Sequence, residues 1–185
     1  MTFQLFADPF TDADQSAMTG LHCGDEPWAR AATAWITGSD VLDSIRNHHT
    51  RVWVFRSESN SIVGFASLGP TRWRWPPPDG SYTRLLMVPQ LGVCERFRGQ
   101  PPDPAWRFSS QIMSHVIFEA QEWASEIRKT KSAKKHVELL ILQAHKDNRA
   151  AYRLYERFGF VAMPDFESSN HIVMSHRLVT PEKTN

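Results

Sequence analysis

The segment DNRAAYRLYERFGF, residues 147–160, combines a helical pattern with a tyrosine that has the chemistry of a proton donor. Ala151, Leu154, Tyr155 and Phe158 fall at i, i+3, i+4 and i+7, on one side of the predicted helix. A periodic apolar stripe is typical of a packed core. A phenol is also a group that can donate a proton to a reacting atom. The pattern therefore leaves two interpretations of Tyr155, core filler or general acid.

Local signals mark both ends of this helix. Asp147 or Asn148 is suited to cap the N-terminus. Gly159 is suited to the left-handed position after the C-cap. In a Schellman ending, the residue after that glycine packs back on the helix, which predicts a contact between Phe160 and Tyr155.

An earlier segment, VCERFRG at residues 93–99, leaves an apolar strand and makes a basic, glycine-containing turn before a predicted helix. The N-terminus of a helix presents free main-chain N–H groups and a positive dipole to an anion. Arg98 adds a guanidinium that suits phosphate oxygens. Taken alone, an Arg-Gly pair is equally typical of a surface turn with a solvated arginine.

In this order, the two segments resemble the GNAT superfamily of acetyl-CoA-dependent N-acetyltransferases. The family's strand-to-turn signature is matched by Val93, Phe97, Arg98 and Gly99. The later signature is matched by Asn148, Ala151, Leu154, Tyr155, Gly159 and Phe160. The resemblance covers residues 51–178 in its order of strands and helices.

The resemblance implies an α/β fold of the α+β type, with a mixed, twisted central sheet, splayed central strands and helices on both faces. Acetyl-CoA would enter where strands 85–93 and 137–143 part, and an amine would attack its thioester directly. Leu91 and Val93 would bind the pantetheine arm through their main chains, and Tyr155 would protonate the leaving thiolate. The other implied cofactor-binding residues are Arg98, Gly99, Gln100, Ser109, Ser110 and Asn148. No metal is implied.

The phosphate turn departs from the family pattern. Members usually continue the Arg-Gly with two closely spaced glycines, but here QPPDPAWRF intervenes at residues 100–108. We expect the loop to return Ser109 and Ser110 to the phosphates, because Ser110 precedes an apolar-periodic helix. The alternative is altered or lost CoA binding, which would leave a non-catalytic CoA-binding or partner-binding module.

The sequence does not indicate a general base. Many relatives place a glutamate on the central strand, but LLMVPQLGV at residues 85–93 contains none. Glu95, His145 and His171 are the candidates, and a chain of water molecules to bulk solvent is an equal alternative.

Hydrophobic periodicity predicts the elements that position these residues. The predicted helices cover residues 25–37, with Asp25 as N-cap, a stretch after Ser39, a stretch from Ser109 or Ser110, and the helix after Asn148. The predicted strands cover residues 51–57, 61–69, 81–93 with a bulge or splay near Pro89, 137–145, the FVAM segment and 171–178. Proline-rich residues 70–80 and residues 95–108 are predicted loops.

Composition bounds the class of protein. The net charge is +1, from 21 basic and 20 acidic residues, which argues against nucleic acid and anionic membrane as partners. Cys23 and Cys94 lie in unrelated contexts, so neither a disulfide framework nor a zinc site is indicated. The N-terminus lacks the pattern of a signal peptide, and there is no apolar run of membrane-spanning length. These features predict a cytoplasmic protein.

Together, these observations predict a single GNAT-like domain, residues 1–185, with its core at 51–178. The acceptor site would be formed partly by residues 1–50 and by the loop at residues 70–80, which contains Trp73 and Trp75. The predicted function is N-acetylation of a primary amine of a small-molecule or peptide acceptor, by a monomer or a homodimer. The alternative acceptor is an aminoacyl-tRNA, as in GNAT toxins, which LHCGDEPWARAATAWI at residues 21–36 faintly resembles. The net negative charge of the N-terminal half argues against that alternative.

Overall fold

The computed structural model describes residues 4–74, 82–130 and 137–178, and the chain forms two compact units. The first unit comprises Met1–Gly69 and Pro89–Val116, and the second comprises Pro70–Val88 and Ile117–Asn185. The described elements, in chain order, are β1 (Leu5–Pro9), α1 (Asp12–Ala17), α2 (Pro27–Thr37), α3 (Asp40–His48), β2 (Arg51–Ser57), β3 (Ile62–Arg74), β4 (Tyr82–Val88), β5 (Leu91–Val93), α4 (Phe108–Thr130), β6 (Leu139–His145), α5 (Arg149–Arg157), β7 (Val161–Ala162) and β8 (His171–Arg177).

The first unit contains an antiparallel arrangement of strands in the order β1, β2, β3 and β5. The predicted hairpin of residues 51–57 and 61–69 is confirmed by the pairing of β2 with β3. β3 continues to Arg74, so the prediction that a loop begins at residue 70 is wrong. Thr71 and Trp73 are half-buried while Arg72 and Arg74 are exposed. This period-two alternation sustains a strand past Pro70.

The N-terminal helices of the first unit pack around an apolar cluster that includes Met18, Ile36, Val41 and Phe65. The predicted helix at 25–37 begins at Pro27, and Glu26 rather than Asp25 takes the N-cap position. The difference arises because Pro27 fixes the first helical residue, where its missing N–H has no intrahelical acceptor to lose.

Pro89 divides the long strand predicted at residues 81–93. β4 ends at Val88 in the second unit, and β5 begins at Leu91 in the first unit. Between them, Gln90 is held by Ser67, whose hydroxyl donates to the Gln90 carbonyl at 3.0 Å and accepts from the Gln90 nitrogen at 2.9 Å. The irregularity predicted near Pro89 is thereby confirmed.

The second unit has mixed strand pairing. β4 runs parallel to β6, whereas β8 is antiparallel to both β6 and β7. The parallel ladder extends from Leu86–Leu140 to Val88–Leu142, and β6 continues to His145 while paired with β8. The strands predicted at 137–145, FVAM and 171–178 are confirmed as β6, β7 and β8.

Several predicted features lie outside the described residues. They are residues 75–80 of the predicted loop and residue 81 of the predicted strand, and residues 131–136 and the tail from residue 179 also lie outside the described residues. Within the described ranges, no helix combines the length and apolarity needed to cross a membrane.

Candidate active site

The turn predicted to bind phosphate lies between β5 and α4. A 3₁₀ turn spans Glu95–Phe97, and Gly99 follows with φ +73°, in the left-handed region that glycine adopts without steric cost. A Cβ atom built at Gly99 would meet no atom within 4 Å, so the turn leaves open space on that side. The ring of Phe97 packs against that of Phe108 at 5.8 Å, which ties the turn to the first residue of α4.

The proline-rich insertion is closed at its base by one main-chain hydrogen bond. The nitrogen of Phe108 donates to the carbonyl oxygen of Gln100 at 2.8 Å, so residues 101–107 form an excursion between two adjacent main-chain positions. Gly99 and Gln100 consequently lead directly to the N-terminus of α4, as in a turn without an insertion. This geometry agrees with the expectation that the chain returns to the helix start.

The two serines at the start of α4 differ in their surroundings. Ser110 is buried, its hydroxyl donates to the carbonyl of Pro104 at 2.9 Å, and its nitrogen donates to the carbonyl of Arg107 at 2.8 Å. The hydroxyl of Ser110, a residue that the resemblance implies in cofactor binding, therefore braces the insertion. Ser109 is half-buried and lies one position nearer to the turn.

Arg98 has partners that the sequence did not indicate. Its Nη1 atom lies 3.1 and 3.2 Å from the two carboxylate oxygens of Glu26, and its Nη2 atom donates to the carbonyl of Cys23. A Cβ atom at Gly24 would stand 2.7 Å from the guanidinium, so glycine makes room for the arginine. The hydrogen bond from Arg98 lowers the pKa of Glu26. Arg98 thus reaches toward the start of α2 in this structure.

The main chain of β5 has the orientation needed to bind an extended ligand. Leu91, Gly92 and Val93 lie opposite Ala66, Phe65 and Gly64 of β3. Main-chain hydrogen bonds join the flanking pairs, Ser67 with Gln90 and Val63 with Cys94. Along an antiparallel ladder, hydrogen-bonded residue pairs alternate with pairs that are not hydrogen-bonded, so the main chain of Gly92 forms its hydrogen bonds with β3. The N–H and C=O groups of Leu91 and Val93 therefore point away from β3.

In the second unit, α5 has the ends that the sequence predicts. The side-chain oxygen of Asn148 accepts a hydrogen bond from the nitrogen of Ala151 at 3.1 Å, which makes Asn148 the N-cap. The nitrogen of Phe160 donates to the carbonyl of Tyr155 at 3.0 Å, and the nitrogen of Gly159 to that of Glu156 at 2.9 Å. These two bonds define a Schellman ending and confirm that prediction.

Tyr155 is buried, with 8% of its surface exposed, and its ring lies 5.9 Å from that of Phe160. Burial raises the pKa of Tyr155 to about 12, because removing the phenol from water disfavours the phenolate. Tyr155 is therefore fully protonated at neutral pH and is a weaker acid than a solvated tyrosine. The proton-donor role that the sequence assigned to it stays a prediction.

Two of the three candidate bases, His145 and His171, lie side by side, and Glu95 has other partners. Glu95 is half exposed and lies 3.2 Å from Nδ1 of His22. His145 accepts a hydrogen bond at Nδ1 from the nitrogen of Asp147 at 3.2 Å, and its ring contacts that of His171 at 5.5 Å. Among the described residues, no group of three His, Cys, Asp or Glu side chains is arranged to hold a metal ion.

The predicted site residues fall into two sets. The first unit holds seven of them, on β5, in the turn that follows β5 and in the first residues of α4, namely Leu91, Val93, Arg98, Gly99, Gln100, Ser109 and Ser110. The second unit holds Asn148 and Tyr155 on α5. Sequence reasoning missed Glu26 and Cys23 as partners of Arg98.

Comparison with known proteins gives structural matches only. No protein-family profile and no curated protein sequence matches the chain. A complex of KacTA with DNA matches with a TM-score of 0.67 and 16% identity, covering 95% of this chain and 94% of that one. A variant of the AtaT toxin with acetyl-CoA and the C-terminus of the antitoxin AtaR has a TM-score of 0.66 and 13% identity, covering 94% and 93%. AtaT with acetyl-methionyl-tRNAfMet has a TM-score of 0.65 and 14% identity, covering 94% and 95%.

The chain has the fold of these toxins. The mixed α/β architecture predicted from the resemblance to GNAT acetyltransferases is confirmed by this likeness. Two of the matched structures contain acetyl-CoA, the co-substrate that the resemblance implies for this chain.

The prediction about partners is wrong. A small-molecule or peptide acceptor was expected and nucleic acid was argued against, but the matched structures hold an antitoxin, DNA and acetyl-methionyl-tRNA. The physical reason is that net charge averages over unlike regions. The first unit carries 7 basic and 10 acidic residues, whereas the second carries 14 basic and 10 acidic residues. A net charge of +1 for the whole chain therefore does not show the excess of basic residues in the second unit.

Proposed function

We propose that this protein is an acetyl-CoA-dependent N-acetyltransferase, which transfers an acetyl group to a primary amine by direct attack. The observation that carries the proposal is the fold shared, over 94% of this chain, with a toxin structure that contains acetyl-CoA. The open turn at Gly99 and the outward main chain of β5 support it independently.

Acetyl-CoA supplies a thioester, whose acetyl group passes to the amine while coenzyme A leaves as a thiol. The main-chain groups of Leu91 and Val93 bind the amides of the pantetheine arm, in the manner of an added strand. The main chain of Gly99, Gln100 and Ser109 binds the pyrophosphate at the N-terminus of α4. Ser110 braces the proline-rich insertion next to this turn through its hydrogen bond to Pro104.

Tyr155 donates its phenolic hydrogen toward the leaving sulfur. With the pKa of Tyr155 raised to about 12, complete proton transfer from Tyr155 to the leaving thiolate, whose conjugate acid has a pKa of about 8.5, is unfavourable. In the overall balance, the proton of the released thiol is the one that the attacking amine loses. The contribution is therefore a hydrogen bond that strengthens as negative charge develops on sulfur. Such a bond is made chiefly in the transition state, so its loss lowers kcat rather than substrate affinity.

The acceptor that we propose is the α-amine of an aminoacyl-tRNA. This choice is supported by the matched toxin structure that contains acetyl-methionyl-tRNAfMet. It is also supported by the excess of basic residues in the second unit, 14 against 10 acidic. The α-amine of an aminoacyl ester is less basic than the α-amine of a free amino acid. More of the ester's amine is therefore in the unprotonated, nucleophilic form at neutral pH.

Two measurements test the proposal. Calorimetry should detect binding of acetyl-CoA, and mass spectrometry of aminoacyl-tRNA incubated with protein and acetyl-CoA should detect an N-acetylated aminoacyl group. Absence of acetyl-CoA binding at millimolar concentration contradicts the transferase assignment. Binding and thiol release with free amines, but no product on any aminoacyl-tRNA, contradicts only the choice of acceptor.

A further inference from the structure

α5 carries a row of three exposed arginines, Arg149, Arg153 and Arg157, which we call the arginine row. They stand at i, i+4 and i+8, so they share one face of the helix and span about 12 Å along its axis. Tyr155 is buried, two positions from Arg153, and therefore lies on the opposite face.

This arrangement is electrostatically unfavourable for the helix itself. Like charges at i, i+4 repel each other on a helix surface. Arg149 is the first helical residue, where the dipole favours a negative charge, and the first turn of α5 contains no acidic residue. Electrostatics within the helix does not account for Arg149 or for the pair that it forms with Arg153, whereas Arg157 lies in the last turn, where the dipole favours a cation. A set of residues that breaks local rules without a local gain is typical of a functional surface.

Acidic side chains do not neutralise the first two members of the row. Within the described part of the chain, neither Arg149 nor Arg153 has an ion pair. The one acidic residue of α5, Glu156, interacts with Tyr152, and its charge raises the pKa of Tyr152. The nearby Lys146 is paired with Glu167 at 3.3 Å.

The chemistry of the row selects its ligand. Guanidinium groups bind phosphate oxygens in a bidentate manner, and arginine is the residue preferred for nucleic-acid backbones. Steps of about 6 Å along the helix axis repeat the charge at fixed intervals, which suits a ligand whose own charges repeat regularly. A single phosphate would occupy only one or two of the three guanidinium groups.

We propose that the arginine row of α5 binds the phosphate backbone of the RNA that carries the acceptor amine. This inference rests on the proposed function and adds the surface on which the acceptor is held. Because Tyr155 occupies the other face of the same short helix, the row ties the position of the RNA to the helix that carries the proton donor.

The test compares two double variants that remove the same charge. Arg149→Gln with Arg153→Gln removes two members of the row, while Arg157 is retained because its guanidinium lies over the ring of Phe158 at 5.9 Å. Arg30→Gln with Arg46→Gln is the control, since both arginines are exposed on helices of the acidic first unit. Fluorescence anisotropy with unacylated tRNA gives affinities between about 50 and 200 mM salt. Calorimetry gives acetyl-CoA affinity for each protein.

We expect the row variant to bind tRNA at least about tenfold more weakly than wild type and to lower the slope of log K against log salt by about 2. The control variant keeps wild-type tRNA affinity, and all three proteins keep the same acetyl-CoA affinity. Equal losses in both double variants mean that only bulk charge acts, which overturns the proposal.

Other results also overturn it. Loss of acetyl-CoA affinity in the row variant, with tRNA affinity intact, assigns the row to a phosphate of coenzyme A. If the row variant keeps the wild-type affinity for tRNA but loses binding to an acidic peptide that the wild type binds, the row is assigned to a protein partner. Wild-type protein that binds acetyl-CoA but not tRNA overturns the inference and leaves acetyl transfer standing. Wild-type protein that binds tRNA through the row but does not bind acetyl-CoA supports the inference and contradicts acetyl transfer.

Discussion

The carbonyl oxygen of Gln100 and the nitrogen of Phe108 are joined by a 2.8 Å hydrogen bond, although seven residues separate them along the chain. Because this bond closes the base of the proline-rich insertion, residues 101–107 form a loop separate from the turn. The turn that precedes α4 is therefore continuous in space, even though the sequence interrupts it.

Replacement of residues 101–107 by two glycines tests this continuity. We expect acetyl-CoA affinity to be unchanged, because Gly99, Gln100 and Ser109 keep their positions. The free energy of unfolding should fall by about 1 to 2 kcal/mol, because the bond from Ser110 to Pro104 and the burial of Pro101 are lost. Calorimetry and denaturant unfolding measure the two quantities. A folded variant without acetyl-CoA affinity would show that the insertion itself binds the ligand.

Two glycines of the first unit should respond differently to alanine. A Cβ atom at Gly92 would lie 2.5 Å from the ring of Phe65 and 2.8 Å from the sulfur of Cys23, so Gly92→Ala forces the core apart. We expect it to cost about 2 to 3 kcal/mol of unfolding free energy. The Cβ atom of Gly99→Ala would have no atom within 4 Å, so this substitution costs only the backbone strain of a φ of +73°, about 1 kcal/mol of unfolding free energy. Equal costs in denaturant unfolding would contradict this distinction.

Glu26 should compete with the ligand for Arg98. The carboxylate of Glu26 accepts two hydrogen bonds from the guanidinium, so Arg98 must exchange partners to reach a phosphate. We expect Glu26→Gln to tighten acetyl-CoA binding by about two- to fivefold, since exposed ion pairs are weak. The same change should have no effect when Arg98 is already alanine. An equal effect in both backgrounds, measured by calorimetry, would exclude competition through Arg98.

Tyr155 should make stability depend on alkaline pH. Burial raises its pKa from 10.0 to about 12, so the folded state holds the phenolic proton more tightly than the unfolded state does. The stabilising difference is complete below pH 10 and is lost as pH rises toward about 12, by about 2 to 3 kcal/mol in total. Tyr155→Phe lacks this titrating group. Its unfolding free energy, measured against pH, should therefore fall less steeply than that of wild type over this window. Parallel curves would show that the phenol is not buried in solution.

Elements that depend on neighbours in the chain were predictable from the sequence. The N-cap at Asn148 and the Schellman ending at Gly159 are specified within α5 itself, and both are present. The irregularity at Pro89 follows from the missing N–H of proline. Each of these features needs no information from a distant residue.

Features that depend on distant residues were not predictable. Glu26 and Arg98 are 72 positions apart, and no local pattern marks them as partners. The raised pKa of Tyr155 comes from burial by the whole fold, which a periodic stripe indicates only in outline. The charge of the second unit is only partly visible when the chain is divided into halves, because the residues of this unit come from two separate stretches of chain.

The most direct test of acetyl transfer is the rate of coenzyme A release with acetyl-CoA and an aminoacyl-tRNA, measured for wild type, Tyr155→Phe and Tyr152→Phe. Tyr152 lies on the same helix and is half-buried, so it is a matched control for loss of a phenol. We expect kcat to fall by about tenfold to a hundredfold for Tyr155→Phe, with KM little changed, and to stay at the wild-type value for Tyr152→Phe. An unchanged kcat for Tyr155→Phe would contradict its role as proton donor, and no release of coenzyme A by wild type would contradict acetyl transfer itself.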